Sequence, residues 1–295
     1  MRPLAGFTPL PAMPHGPTSR EEVRMPSQRK KLSKEQNVND SKNTRLDIGL
    51  ALQQMDLRAD YIAHMSRYCK IAELMVDEAK LLGRPIQVFE AGCGELWPIR
   101  YLYKALQVKK SEVLAKYIGF DIDENIPFEQ FSETGWFKIF NTEIYIQDLT
   151  VEPQFELGIE SQDMFITTEV IEHMKPEFVE PWIKDAARCL TKNGLAYIST
   201  PNSDGSKEKL PLDHVYEWKF QELKHLLEKY FIITECYGTF IQLPKFAIAE
   251  EKLGYWMNSA FVIRRRFDKN WQRVILAAPY PEYANNVVWT CRKKP

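Results

Sequence analysis

The segment QDMFITTEVIEHM (residues 162–174) decides the fold, because an apolar run stops in it at two glutamates and a histidine. Its first half, QDMFITT, is short and apolar, as is typical of a buried strand. Its second half places Glu169, Glu172 and His173 directly after that strand. In open parallel sheets ligands bind outside the carboxyl ends of the strands, so these three side chains are candidates for a functional site.

Short apolar strands alternate with amphipathic segments along most of the chain. Apolar residues at three- and four-residue spacing predict helices within residues 46–83, which end near Gly83 with Pro85 beyond. Further strands are predicted in PIQVFEA, AKYIGFDID, EIYIQDLT, NGLAYISTPN, FIITECYGTF and NNVVWTCRK. This alternation predicts an α/β fold with a mostly parallel sheet and helices on both faces.

The composition is that of a globular protein, with 44% hydrophobic and 27% charged residues. No apolar run approaches the roughly 18 residues of a membrane span, so no membrane partner is expected. The five cysteines are scattered and never form CxxC, which argues against a disulfide framework and against a thiolate zinc site. A reducing, cytoplasmic location is the expectation.

Residues 1–45 differ from the rest of the chain. They hold nine Lys or Arg against four acidic residues, together with six of the eighteen prolines. Such a segment buries too little apolar surface to offset the entropy of ordering, so we expect a disordered basic arm. It is either a solvated tail or a contact for nucleic acid or an acidic protein. Residues 46–295 are expected to form the folded domain.

An acidic group follows nearly every predicted strand, and the first strand runs into the turn Glu90-Ala91-Gly92-Cys93-Gly94. The glycines allow a ligand to approach the backbone, but the third glycine of a dinucleotide fingerprint and the GK[ST] of a phosphate loop are missing. Asp121 ends the second strand, where a carboxylate can accept both ribose hydroxyls. Asp148 ends the third, where an adenine amino group can be bound. An adenosyl ligand without a pyrophosphate fits this pattern best.

Five motifs in this order resemble the class I S-adenosylmethionine-dependent methyltransferases. They are VFEAGCG, YIGFDID, QDLT, DMFITTEVIEHM and LTKNGLAYISTPN. The resemblance covers roughly residues 55–240 and is nearest to the type 11/type 23 group, which includes ubiquinone-biosynthesis O-methyltransferases and phage and bacterial relatives. It implies a Rossmann-like, seven-stranded sheet whose last strand, NNVVWTCRK (residues 285–293), is antiparallel beside the sixth.

The resemblance implies S-adenosylmethionine as cofactor and a methyl acceptor through O or N. It assigns the methionine end of the cofactor to Glu90, Gly92 and Gly94. Cys93 lies in the same turn and is counted with the cofactor-binding residues, and we expect it to pack rather than to act as a nucleophile. It assigns Asp121, with Asp123 beside it, to the ribose and Asp148 to the adenine end. Glu169 then lines the methyl-donor cleft.

The histidines leave two interpretations open. Because histidine titrates near neutral pH, His173, or less favourably His214, is a candidate general base beside Glu169. Alternatively, EVIEH (169–173) followed by DHVYEW (213–218) resembles the small-RNA 3′-terminal 2′-O-methyltransferases, in which two glutamates and two histidines hold a divalent cation. The corresponding ligands are Glu169, Glu172, His173 and His214. The metal-free interpretation is favoured, since generic family members carry a similar second histidine.

The acceptor itself is not identified by the sequence: a small molecule, a nucleotide and nucleic acid all stay open. Residues 241–285 form an insertion between the last two strands, rich in aromatic residues and holding Arg264-Arg265-Arg266. It is either a helical lid that packs on the sheet or a surface that stacks bases. The early helix, with Tyr61, His64, Arg67 and Tyr68, is the other candidate wall of the acceptor pocket. A cofactor-binding pseudoenzyme or partner subunit is a further alternative, disfavoured by the intact glycine turn.

Overall fold

The computed structural model describes most of the chain after residue 58. The described ranges are 59–108, 111–126, 128–151, 154–203, 210–243, 246–247, 263, 265–267 and 269–295. The basic arm predicted at 1–45 and the first part of the predicted N-terminal helices lie outside them. Within these ranges, every helix is too short or too polar to cross a membrane.

Seven strands form one sheet. They are β1 (Ile86–Ala91), β2 (Leu114–Asp121), β3 (Thr142–Ile146), β4 (Gln162–Thr168), β5 (Leu190–Pro201), β6 (Phe231–Gly238) and β7 (Asn286–Lys293). Their order is β3-β2-β1-β4-β5-β7-β6, and β7 runs antiparallel to both of its neighbours, while the other pairs are parallel. The predicted α/β, Rossmann-like sheet with an antiparallel last strand is confirmed.

Helices connect the strands and cover the sheet. They are α1 (Ala59–Leu82), α2 (Trp97–Lys104), α3 (Phe128–Ser132), α4 (Gly135–Ile139), α5 (Pro176–Cys189), α6 (Phe220–Tyr230) and α7 (Lys269–Ala277), with 3-10 turns at Ile171–His173 and Pro281–Tyr283. The short helices α3 and α4 were not predicted, because five residues are too few to establish a helical period. Helix α7 lies in the insertion 241–285.

Strand β4 is central because both of its faces are covered. All seven of its residues are buried. Phe165 packs in one core with Phe89, Phe155 and Trp182, whereas Met164 and Ile166 belong to the core on the opposite face. Alternate side chains of a strand point to opposite faces, so an apolar run without polar interruptions requires this two-sided burial.

The order of the strands determines where ligands can bind. The chain builds β1, β2 and β3 in one direction from the centre and then returns to β4 beside β1. The loops that leave β1 and β4 therefore diverge to opposite faces at the point where the topology switches. Such a crevice is the usual ligand site of an open α/β sheet.

At the opposite, amino-terminal edge of the sheet an ion pair with a buried carboxylate holds β4. The Arg84 guanidinium donates to both oxygens of Asp163 at 2.7 and 2.8 Å, and the N–H of Gln87 donates to the same carboxylate at 2.9 Å. The Asp163 side chain is 3% exposed and that of Arg84 is half exposed. Burial alone would raise the pKa of Asp163, but the hydrogen bonds from Arg84 and Gln87 outweigh it and hold that pKa below its usual range.

We expect Asp163→Asn to lower the free energy of unfolding by about 2 kcal/mol at pH 7, because charge-assisted hydrogen bonds to a buried acceptor are lost. Since the folded-state pKa is lowered, the carboxylate stabilises the fold above its ordinary pKa of about 4, and this contribution is lost as the pH falls further. Urea unfolding at pH 7, 5 and 3 measures both effects. The control is Asp77→Asn in the exposed Asp77–Lys80 pair of α1, expected to change stability little. Equal losses in both variants at pH 7, or a loss for Asp163→Asn that does not decline at low pH, would contradict this interpretation.

Candidate functional site

The glycine turn after β1 is tied to β2 and borders open space. The N–H groups of Gly92 and Cys93 both donate to the carbonyl of Phe120, at 2.8 and 3.0 Å. Both glycines have positive φ, +68° at Gly92 and +46° at Gly94. A Cβ on Gly92 would lie 2.3 Å from Val170, whereas a Cβ on Gly94 would meet no atom within 4 Å. Gly92 is therefore required by packing, and Gly94 leaves room for a ligand.

Asp121 connects the end of β2 to this turn. Its carboxylate accepts the N–H of Gly94 at 2.7 Å and that of Asp123 at 2.9 Å. Asp123 in turn accepts the N–H of Asn125 at 2.8 Å. The predicted ribose-binding acids thus lie beside the glycine turn, with their orientation fixed by backbone donors.

Asp148 lies two residues beyond β3, the neighbour of β2. Its carboxylate accepts the N–H and the hydroxyl of Thr150 at 2.9 and 2.6 Å. The three predicted acids Asp121, Asp123 and Asp148 therefore follow the ends of adjacent parallel strands. The assignment of Asp121 and Asp123 to the ribose and of Asp148 to the adenine end stays a prediction.

Glu90 is a buried acid close to the end of β1. It accepts a hydrogen bond from the Tyr117 hydroxyl. Burial raises the pKa of Glu90 well above its usual value, and the nearby charge of Asp121 adds to this, against the hydrogen bond from Tyr117. Among the described residues, no ion pair joins Glu90 to a basic side chain. A ligand with positive charge would compensate this carboxylate.

Cys93 in the same turn is buried. Burial raises the pKa of its thiol well above the usual value, and the carboxylates of Asp121 and Glu90 raise it further. The side chain is therefore a neutral thiol that packs beneath the turn, as expected from the sequence.

Glu169 follows β4 directly and is held by three donors. Its backbone lies in the left-handed region at φ +56°, and its N–H donates to the carbonyl of Ser199 at 2.9 Å. One carboxylate oxygen accepts from Arg67 at 2.5 Å and from the Ser199 hydroxyl at 3.0 Å, and the other accepts from the Asn286 amide. The three side-chain donors to the Glu169 carboxylate therefore come from α1, β5 and β7.

Glu172 lies in the 3-10 turn and is buried. One oxygen accepts from the Thr200 hydroxyl at 3.0 Å. Burial raises the pKa of Glu172 well above its usual value; the charge of Glu169 adds to this, and Arg67 is among the groups that oppose it. The carbonyl of Glu172 accepts the N–H groups of Val215 and Tyr216 at 2.7 and 3.0 Å. These backbone bonds bring the distant segment DHVYEW against EVIEH.

Both histidines are oriented through Nδ1. That of His173 lies 2.7 Å from the carbonyl oxygen of Asp213, and that of His214 lies 2.9 Å from a carboxylate oxygen of Glu217. Because these oxygens accept, Nδ1 is the donor and Nε2 of the neutral ring carries the lone pair. The two rings lie edge to face, with centroids 5.2 Å apart.

Glu172, His173 and His214 together form a candidate cation site. Each offers one ligand atom, and these atoms lie within 4.8 Å of one another. A carboxylate and two neutral imidazoles suit a divalent transition metal, and histidines whose second nitrogen is hydrogen-bonded are typical of metal ligands. The structure thus brings together three of the four residues in the metal-binding alternative. Glu169 is not in this group.

Sequence reasoning missed the partners that fix these side chains. Arg67 was considered only as a wall of the acceptor pocket, and its contact with Glu169 spans 102 residues, so no local signal could reveal it. The side chains of Tyr61 and His64 lie outside the described residues. Ser199 and Asn286, the other partners of Glu169, are 30 and 117 residues away from it, so no local signal could reveal these contacts either.

Part of the insertion 241–285 is described. Phe246 is fully buried and packs against Tyr280 and Tyr283, with ring centroids 5.3 and 6.0 Å away. Arg265 and Arg266 are exposed. Phe267 and Trp271, by contrast, are exposed. Both alternatives for the insertion, a packed lid and a surface that stacks bases, therefore stay predictions. The predicted residues Tyr255, Trp256, Phe261 and Arg264 lie outside the described part.

Comparison with solved structures gives neighbours of low sequence identity. The 1,6-didemethyltoxoflavin-N1-methyltransferase of Burkholderia thailandensis, solved with bound 1,6-didemethyltoxoflavin and S-adenosylhomocysteine, is 15% identical, with a TM-score of 0.48 over 86% of this chain and 89% of that chain. The magnesium protoporphyrin IX methyltransferase of Synechocystis PCC 6803, solved with S-adenosylmethionine, is 15% identical, with a TM-score of 0.48 over 79% and 81%. The [4+2]-cyclase SpnF is 17% identical, with a TM-score of 0.48 over 76% and 80%.

No curated protein matches the sequence. A family model described as a methyltransferase domain matches residues 61–235, more than half of the chain. This span contains the glycine turn, the acids of β2 and β3, and the Glu172–His173–His214 group. The chain therefore belongs to the methyltransferase domain family.

Proposed function

We propose that the protein binds S-adenosylmethionine at the carboxyl edge of β1, β2 and β3 and transfers its methyl group to an O or N acceptor. The observation that carries this proposal is the pairing of the buried, uncompensated Glu90 with the open turn at Gly94. S-adenosylmethionine brings an ammonium and a sulfonium, whose charge suits this carboxylate. Its ribose diol suits the carboxylate of Asp121.

The residues present fit the cofactor from one end to the other. Glu90 and the turn from Gly92 to Gly94 would hold the methionine part, and Asp121 with Asp123 the ribose. Asp148, at the end of the next strand, would accept from the adenine amino group. When bound, the cofactor supplies a methyl group already activated on a positively charged sulfur.

The protein's own part in the reaction is to position the acceptor and remove a proton. Good orientation alone is worth up to roughly 7–11 kcal/mol of the barrier. His173 is the proposed base, since its Nδ1–H donates to the backbone carbonyl of Asp213 and its Nε2 is left to take a proton from the methyl acceptor. His214, whose Nδ1–H donates to the Glu217 carboxylate, is second. Glu169 is bound by three donors and therefore orients its surroundings rather than taking the proton.

We expect Glu90→Gln to weaken S-adenosylmethionine binding by at least about tenfold, because the compensating negative charge is lost. The same variant should be no less stable than wild type without cofactor, since it removes a buried charge and keeps an acceptor for Tyr117. Asp121→Ala should weaken binding by about 10- to 100-fold. Isothermal titration calorimetry and thermal melts without ligand measure these effects.

The matched control is Glu124→Ala, an exposed acid in the same loop as Asp121, which should bind the cofactor as wild type does. Cofactor affinity unchanged in both Glu90→Gln and Asp121→Ala would refute the proposed site. Cofactor binding without transfer to any tested acceptor would instead favour the pseudoenzyme alternative.

A second candidate function is a metal-assisted methyl transfer to the 2′-hydroxyl of a terminal ribose in RNA. The observation that favours it is the convergence of Glu172, His173 and His214, with the second nitrogen of each histidine held by a backbone or carboxylate oxygen. These three residues would hold the cation. A divalent cation at this place would lower the pKa of a hydroxyl that binds to it.

We expect wild-type protein to bind Mn²⁺, and His214→Ala and His173→Ala each to weaken this binding by at least about tenfold, because each removes one of three ligands. The control is His225→Ala, since His225 lies exposed on α6 outside the cluster. Calorimetric titration with Mn²⁺ measures the affinities. Methylation of a short RNA duplex is then compared with that of the same duplex ending in a 2′-deoxyribose. Cofactor binding without any Mn²⁺ binding would exclude the metal-assisted function and leave the first proposal standing.

A further inference from the structure

The Glu169 carboxylate is bound by three side chains that do not belong to the cation cluster. Arg67 of α1 donates to one oxygen at 2.5 Å and also to the Ser199 hydroxyl at 3.0 Å. Ser199 donates to the same oxygen, and Asn286 of β7 donates to the other. Both oxygens of Glu169 are therefore engaged on the side of α1, β5 and β7.

Burial makes the pair with Arg67 hard to exchange. The Arg67 side chain is 4% exposed, and that of Glu169 is 29% exposed. If Glu169 left to bind a cation elsewhere, its ion pair with the Arg67 guanidinium would be broken inside the protein. Separating the partners of a buried ion pair is strongly unfavourable.

The candidate cation site consists of three residues and does not include Glu169. The ligand atoms of Glu172, His173 and His214 lie within 4.8 Å of one another, and Glu169 does not belong to the group. Glu169 and Glu172 are nevertheless only three residues apart. A Glu169 carboxylate released from Arg67 would therefore be the nearest candidate for a fourth ligand.

We propose that Arg67 is a positioning residue that holds Glu169 out of the cation site, so that the cation has three protein ligands and keeps its remaining positions for oxygens of the acceptor. The proposal rests on the second candidate function. It differs from the four-ligand set, Glu169, Glu172, His173 and His214, that the resemblance to RNA methyltransferases implied. Three protein ligands with open positions are typical of catalytic rather than structural metal sites.

The experiment measures Mn²⁺ affinity by calorimetry in wild type, Glu169→Gln, Arg67→Met and the double variant. Glu169→Gln should bind Mn²⁺ within about twofold of wild type, because Glu169 is not a ligand. Arg67→Met should bind at least about tenfold more tightly, because the released carboxylate becomes a fourth ligand. The double variant should return to within about twofold of the wild-type affinity.

A spectroscopic readout separates a change of ligands from a change of charge. With Co²⁺ as the probe, wild type and Glu169→Gln should give the same visible absorption spectrum, and Arg67→Met a different one. Lys70→Met is the matched control: it removes a positive charge from the same helix, where Lys70 pairs with Glu235. It should change neither affinity nor spectrum.

A tenfold or greater loss of Mn²⁺ affinity in Glu169→Gln would make Glu169 a ligand and overturn the proposal. A double variant that binds as tightly as Arg67→Met would show a charge effect only, and would overturn it too. If Arg67→Met fails to fold, Glu169→Gln alone decides. If wild-type protein binds S-adenosylmethionine but no cation, the second candidate function fails and the proposal fails with it.

Discussion

The ion pair between Arg67 and Glu169 joins the first helix to the carboxyl edge of the sheet, and the charges at that edge depend on it. Glu169 and Glu172 are close in sequence. Burial raises the pKa of Glu172, the charge of Glu169 raises it further, and the charge of Arg67 is among the groups that oppose the rise. The positive charge of the buried Arg67 guanidinium offsets the negative charges of these two neighbouring carboxylates. It also commits one of them, Glu169, to a structural partner and leaves Glu172 to face the two histidines.

The order of the strands explains why the two halves of the site are neighbours. Strands β1 and β4 pair in parallel, so the glycine turn after one and EVIEH after the other begin at the same edge. Val170 packs directly against Gly92 and so holds the two segments together; a methyl group on this glycine would collide with the Val170 side chain. A cofactor bound along β1 to β3 would therefore lie beside an acceptor bound over β4 and β5, which is the requirement for direct methyl transfer.

The sequence predicts well what depends on local pattern. Strand β4 was predicted at its observed bounds, because its uninterrupted apolar run ends sharply at Glu169, and β7 was predicted within one residue. Helices α3 and α4 are single turns without a measurable period and were missed. Asp121, Asp123 and Asp148 lie at the strand ends, as the local pattern predicted, and their roles toward a cofactor stay predictions. The pairing of Arg67 with Glu169 was not predicted, since it depends on how α1 packs. The four-ligand set came from the resemblance of EVIEH and DHVYEW to the small-RNA methyltransferases, and it stays a prediction.

The most direct test of this account is amide hydrogen exchange of the protein alone, with S-adenosylhomocysteine, and with Mn²⁺ added. We predict that the nucleoside ligand slows exchange in the glycine turn, at residues 92–96, and after β2, at residues 121–124. Mn²⁺ should slow exchange at residues 171–174 and 213–217, because it joins the two histidine segments. Protection by S-adenosylhomocysteine elsewhere in the fold, or no protection at either strand end, would contradict the central claim that this sheet edge holds the methyl donor.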